Sequence, residues 1–190
     1  MTTAALPDLP FSRPLRVSRL PREAETPVSV ALDPDEATAL ARYLGVQAVS
    51  GLQFDGRLVP WQARGWRLGG RLSAQVTARC VVTLEPVVSD LSLDLERCYL
   101  PSAEIADLVS GPEDREMGDE NAPEPLADPI EAAEPICEAL LLAIDPYPRA
   151  EGAALGEKLA APPGAEPLTD AAMRPFAGLA ELKRKLESGD

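Results

Sequence analysis

Residues 66–82, WRLGGRLSAQVTARCVV, alternate apolar and polar side chains over a length that suits a long β-strand and no helix. Successive strand residues point to opposite faces. Leu72, Ala74, Val76, Ala78 and Cys80 therefore share one face, and Arg71, Ser73, Gln75, Thr77 and Arg79 share the other. A strand this long needs partners along its length, which commits the chain to a sheet. The pair Gly69–Gly70 lets the strand bend, as barrel strands do.

The neighbouring segments supply the partners. PLRVSRL (Pro14–Leu20) reads as an imperfect strand and PVSVAL (Pro27–Leu32) as a second. VSGLQFDGRLVPW carries Leu52, Phe54 and Leu58, with Asp55–Gly56 as a hairpin turn or bulge. LEPV is a turn, since Pro86 does not suit a central strand, and after it Leu91, Leu93 and Leu95 oppose Asp90, Ser92, Asp94 and Glu96. Between these strands DPDEATALARYLG predicts a helix over about 34–44. Asp33 is its cap, Pro34 its first residue, Glu36 the partner in a capping box and Gly45 its stop. Ala37, Leu40, Ala41 and Leu44 form the stripe that packs on the sheet.

Residues 101–128 lose hydrophobic periodicity after Val109 and read as an acidic, mobile loop. DPIEAAEPICEALLLAIDPYP predicts a helix from Pro129 to Ile144, capped by Asp128, with Pro135 kinking it or delaying its regular part. Its docking face is Ala133, Ile136, Cys137, Leu140, Leu141 and Ile144. A basic C-terminal segment carries a helical stripe of Phe176, Leu179, Leu182 and Leu186. The expectation is one α+β domain: a mainly β body with one short helix over 1–100, the acidic loop over 101–128, and helical segments over 129–190. Those segments dock on a curved antiparallel sheet or open barrel.

The chain contains no histidine, which excludes a His-based triad, imidazole metal ligands and imidazole proton shuttles. Three cysteines, an odd number, argue against a disulfide framework and for a reducing, cytoplasmic setting. No signal peptide and no membrane-length apolar run is evident, so no membrane partner is expected. Residues 11–82 hold ten Arg against six acids, a net of +4, whereas residues 83–190 carry a net of −16. That asymmetry fits an electropositive binding face beside an acidic region, and equally fits solubilising charge spread over two parts.

Little in the chain looks like catalysis. Cys80 is in phase with the inward residues of its strand, where a free cysteine behaves as a small hydrophobe; a reactive thiol needs an accessible, electropositive setting. A zinc site built on the three cysteines lacks a fourth ligand. The carboxylates lie along solvated faces rather than in a cleft, and the two glycines of WRLGGRL lack the Lys-Ser/Thr of a phosphate loop. No catalytic residue, metal or cofactor is assigned, and an RNA-processing hydrolase using Mg²⁺ finds little support.

The strongest positive signal is GRLVPWQARGWRLGGRLSAQVTARC. It holds Arg57, Arg64, Arg67, Arg71 and Arg79, with Trp61 and Trp66, and no acid at all. Arginine offers a planar, permanent charge for phosphate, and tryptophan can stack on an unpaired base. These seven residues are the candidate RNA-binding set, the alternative being ordinary strand arginines beside core tryptophans.

GRLSAQVTARCVVTLEPV, the acidic loop, DPIEAAEPICEALLLAIDPYPR and RPFAGLAELK, in that order, resemble the YceD family, whose members are described as large ribosomal RNA subunit accumulation proteins. In that family the central motif is commonly a Cys-x-x-Cys-Leu-Glu-Pro-like segment. Here Thr83 stands in place of the second cysteine, so the metal site that two cysteines imply loses a ligand. The resemblance implies a bacterial, non-enzymatic factor supporting processing or accumulation of large-subunit (23S) rRNA, with precursor rRNA or an early pre-ribosomal particle as partner and no DNA. The alternative is an acidic adaptor or chaperone for a basic ribosomal protein.

Overall fold

The computed structural model describes residues 9–109 and 122–154. The chain divides into two compact units, Met1–Glu151 and Gly152–Asp190. The second is described only at residues 152–154, so the expected C-terminal helix lies outside the described residues.

The first unit is built on a five-stranded sheet. Its strands are β2 (Thr26–Ala31), β3 (Ala48–Trp61), β4 (Gly65–Arg79), β5 (Pro86–Leu100) and β6 (Glu124–Pro125), in that order across the sheet. A two-residue strand β1 (Pro14–Leu15) pairs separately with β7 (Ile130–Glu131). The α+β class is as expected, but the sheet is open and mixed: β5 and β6 run parallel. The segment after β1 departs from expectation, turning into a 3-10 helix at Val17–Arg19 that tucks Val17 inward.

Helix α1 (Pro34–Leu44) forms where predicted. Asp33 accepts from the Glu36 N–H at 2.8 Å, and the Glu36 carboxylate accepts from the Asp33 N–H at 3.2 Å. Gly45 closes the helix at φ 70°, a conformation that glycine adopts at little cost. Within the segment expected to be a loop, α2 (Ser102–Val109) and β6 are regular, and residues 110–121 lie outside the described residues.

Helix α3 (Ala133–Ala143) starts later than predicted. Residues 130–131 form a strand instead, the Asp128–Pro129 peptide is cis, and Ala132 rather than Asp128 holds the cap position. Pro135 thereby falls in the first turn, where no intrahelical N–H is required. Leu141, assigned to the docking face, is exposed.

Asp55–Gly56 is neither a turn nor a bulge. Both residues lie mid-strand in β3, opposite Arg71 and Gly70, and the chain reverses at residues 62–64 instead. The register shift lies between Ser50 and Gln53. The reason for Gly56 is on the inner face. A Cβ there would sit 2.5 Å from the Gly69 carbonyl oxygen and 2.6 Å from the Phe54 ring, and one on Gly70 would meet the Asp55 carbonyl oxygen at 2.5 Å. The ring of Phe54 thus lies across the Gly56–Gly70 pair. Beneath it Leu58, Leu68, Leu72 and Val76 join Leu40 and Ala41 of α1 and Ile136, Cys137 and Leu140 of α3 in one core.

Candidate nucleic-acid interface

The register of β3, β4 and β5 determines which outward side chains meet. One row across the sheet is Ser29, Asp55, Arg71 and Asp94; the next is Arg57, Gly69 and Glu96; the next is Val59, Arg67 and Cys98. Gly69 leaves a gap between Arg57 and Glu96. The gap forms part of a depression of about 780 Å³ in the outer face.

Three of the seven predicted residues, Arg57, Arg67 and Arg71, line that depression. Arg64 and Trp61 lie at the β3–β4 reversal, and Arg79 ends β4 at the far side, eight positions from Arg71 and roughly 26 Å away in an extended strand. Trp66 is a correction. Its parity turns it inward, it is fully buried, and it cannot stack on an external base. The Arg22 guanidinium lies 5.1 Å from its ring centroid and donates to the Arg64 carbonyl at 2.8 Å, tying the N-terminal segment to the hairpin.

The acid-free stretch of sequence becomes a balanced face in three dimensions. Arg57 pairs with Glu25 at 3.0 Å, Arg71 with Asp94 at 3.3 Å, and Arg64 approaches Glu104 at 3.8 Å. The depression is lined by three guanidinium groups against four carboxylates, those of Glu25, Asp55, Asp94 and Glu96. Asp94 and Glu96 reach it from β5, Glu25 from just before β2, and Asp55 from β3 immediately ahead of the acid-free stretch. Both members of the Arg57 and Arg71 pairs are well exposed, so the pairs are weakly held and open to exchange with an incoming anion. Among the described residues Arg67 has no ion-pair partner.

The turn after β4 is a different environment. Cys80 is buried as predicted, but its sulfur is not in apolar company. Its Sγ accepts from the N–H groups of Val82 at 3.4 Å, Thr83 at 3.3 Å and Ala150 at 3.3 Å. Hydrogen bonding from the Thr83 side chain, then from these N–H groups, holds the Cys80 thiol down at about 6. Val81 donates to the Pro148 carbonyl, so the turn clasps the segment after α3 at two points. Cys98 and Cys137 lie elsewhere, and among the described residues no three acidic or thiol ligands converge as a metal site would need.

A family model described as "Large ribosomal RNA subunit accumulation protein YceD" matches residues 68–183. No curated protein and no solved structure matches the chain. The matched region begins at β4 and takes in the Cys80 turn, β5 and α3.

Proposed function

Because the chain belongs to the YceD family of large ribosomal RNA subunit accumulation proteins, a role in ribosome biogenesis is its premise, and we propose that it acts by binding precursor large-subunit rRNA or an early assembly intermediate. The role is one of binding, without a catalytic step, and its setting is the cytoplasm. No helix among the described residues is long and apolar enough to cross a membrane.

The observation that carries this reading is the convergence of Arg57, Arg67 and Arg71 around one depression on the sheet's outer face. Among the described residues Arg67 has no ion-pair partner, and the two neighbouring pairs are exposed enough for phosphate to displace the carboxylates. RNA held in this way is bound mainly through phosphate and should weaken steeply with salt. The test is a titration of precursor rRNA fragments at several salt concentrations, with a variant carrying Arg57→Gln, Arg67→Gln and Arg71→Gln. Losing three phosphate contacts should lower the salt slope by about 2. An unchanged slope removes this face from consideration.

A second reading, an adaptor for a basic ribosomal protein, is favoured by one feature. Glu124, Glu134 and Glu138 cluster near the β6 edge; burial raises the Glu124 carboxyl above its ordinary value, and its two acidic neighbours add to the shift. Arg97 offsets part of that charge, 3.2 Å from Glu124 and 2.6 Å from Glu138. Pull-down of a basic ribosomal protein by wild type, but not by a Glu134→Gln, Glu138→Gln variant, would favour the adaptor.

A further inference from the structure

Glycine within a strand is unfavourable relative to alanine, so each one in β3 and β4 calls for a reason. Gly56 and Gly70 have one on the inner face, where a side chain would strike backbone and the Phe54 ring. Gly69 has none. It points outward, its φ lies outside the left-handed region, and a Cβ built on it would find its nearest neighbour, the Leu95 carbonyl oxygen, at 3.9 Å. The sheet would accept a side chain there. What the glycine preserves is a half-buried stretch of backbone without a side chain in the lining of the depression, a feature of strands that something else approaches closely.

The rim around that patch has a definite chemistry. Arg67 precedes Gly69 by two residues on the same face of β4 and Glu96 lies directly across from it on β5, and neither is in an ion pair among the described residues. Val59 beside Arg67 adds an apolar edge. A flat ring can lie on bare backbone where it could not lie over a side chain. A free carboxylate at the ring's edge accepts two adjacent N–H groups. Among the RNA bases only guanine presents two such donors side by side, N1–H and the N2 amine; uracil sets acceptors on both sides of its single donor.

Resting on the RNA reading above, we infer that the Gly69 depression seats one unpaired base of the bound RNA, guanine in preference, with Glu96 accepting from its Watson–Crick edge and Arg67 holding a flanking phosphate. The arginines supply affinity irrespective of sequence, and the seat supplies a local preference for a single-stranded guanosine.

The experiment is fluorescence anisotropy with two short U-rich oligoribonucleotides, one containing a single central guanosine and one without it. Wild type should prefer the guanosine oligomer by about tenfold. Gly69→Val, which fills the seat, should abolish the preference while the thermal midpoint holds or rises. Gly69→Ala keeps the test informative should valine disturb the fold. Glu96→Gln should also lose the preference while retaining affinity for the uridine oligomer. If wild type binds and Gly69→Val and Gly69→Ala keep the preference, the seat is overturned and the RNA reading stands. If Glu96→Gln alone keeps it, the guanine assignment fails. If wild type binds neither oligomer nor precursor RNA, both readings fall together.

Discussion

The two faces of β4 follow the same alternation and obey opposite physics. Inward, Trp66, Leu68, Leu72, Ala74 and Val76 are at most 5 % exposed and packed by the other strands and two helices. Outward, Arg67 and Arg71 stand in solvent, and among the described residues the only ion-pair partner they have between them is the Asp94 carboxylate. Close-packed side chains have no alternative partner, so the inner face sets stability. Exposed ion pairs have one at every encounter with an anion, so the outer face is free to recognise. One strand thus separates folding from binding by the direction of its side chains.

The largest effect expected of a single change falls on the inner face. Phe54→Ala should lower stability by about 3–5 kcal/mol, because it removes a fully buried ring and uncovers the Gly56–Gly70 backbone it lies across. Denaturant unfolding reads this directly, and RNA affinity of the folded fraction should stay near wild type. A loss below about 1 kcal/mol would show that the inner face collapses around the void and is not the rigid partner in the comparison.

The same separation explains what was legible in the sequence. Alternation alone placed Leu72, Ala74, Val76 and Cys80 inward, and the Asp33/Glu36 pair with Gly45 located α1 to the residue. These are local signals carried within one segment. The balanced outer face is not local: it depends on which residue of β5 lies across from which residue of β4. The turn at 80–85 made that recoverable, since counting back equally on both strands sets Asp94 opposite Arg71 and Glu96 opposite Gly69. Trp66 shares the inward phase of Leu68 and Leu72, so parity buries it although its residue type suits an exposed stacking surface. Strand β7 was hidden within a helical pattern, and only its partner β1, more than a hundred residues earlier, makes it a strand.

Cys80 tests the comparison where it is weakest, since it faces inward yet is held by polar contacts. Cys80→Val should cause the next largest loss, because three N–H groups lose their common acceptor. The linkage has a definite sign. The thiol is depressed in the fold from 9.0 to about 6, so the stability it contributes is complete above about pH 9 and is lost as pH falls through about 6. Burial pushes Cys137 up to about 12 and raises Cys98 as well, so both stay protonated in the fold and oppose this slope only near pH 9, where their unfolded thiols ionise. Stability measured from pH 8 down to pH 6 should therefore decline in wild type and stay flat in Cys80→Val. Equal slopes would return Cys80 to the ordinary apolar interior.

Leu84, in the same turn, takes φ +65° while 63 % exposed, a left-handed conformation that a leucine adopts at a cost of about 1–2 kcal/mol and that packing here does not offset. Leu84→Gly should raise stability by about 1 kcal/mol in thermal unfolding. No gain would mean that the flexibility added to the unfolded chain cancels the strain relieved in the fold.

The smallest effect belongs to the outer face and decides whether its charges are free. A double-mutant cycle on Arg71→Ala and Asp94→Ala should give a coupling of about 0–1 kcal/mol, since the 3.3 Å pair has side chains 61 % and 84 % exposed. The coupling should shrink further in salt, on the same scale as RNA binding. Arg71→Ala should weaken RNA binding, whereas Asp94→Ala should strengthen it by releasing the guanidinium from its competitor. A coupling above about 2 kcal/mol would place Arg71 with the structural groups of the inner face. Weaker binding by Asp94→Ala would show that the carboxylate helps to position the arginine rather than competing with phosphate for it.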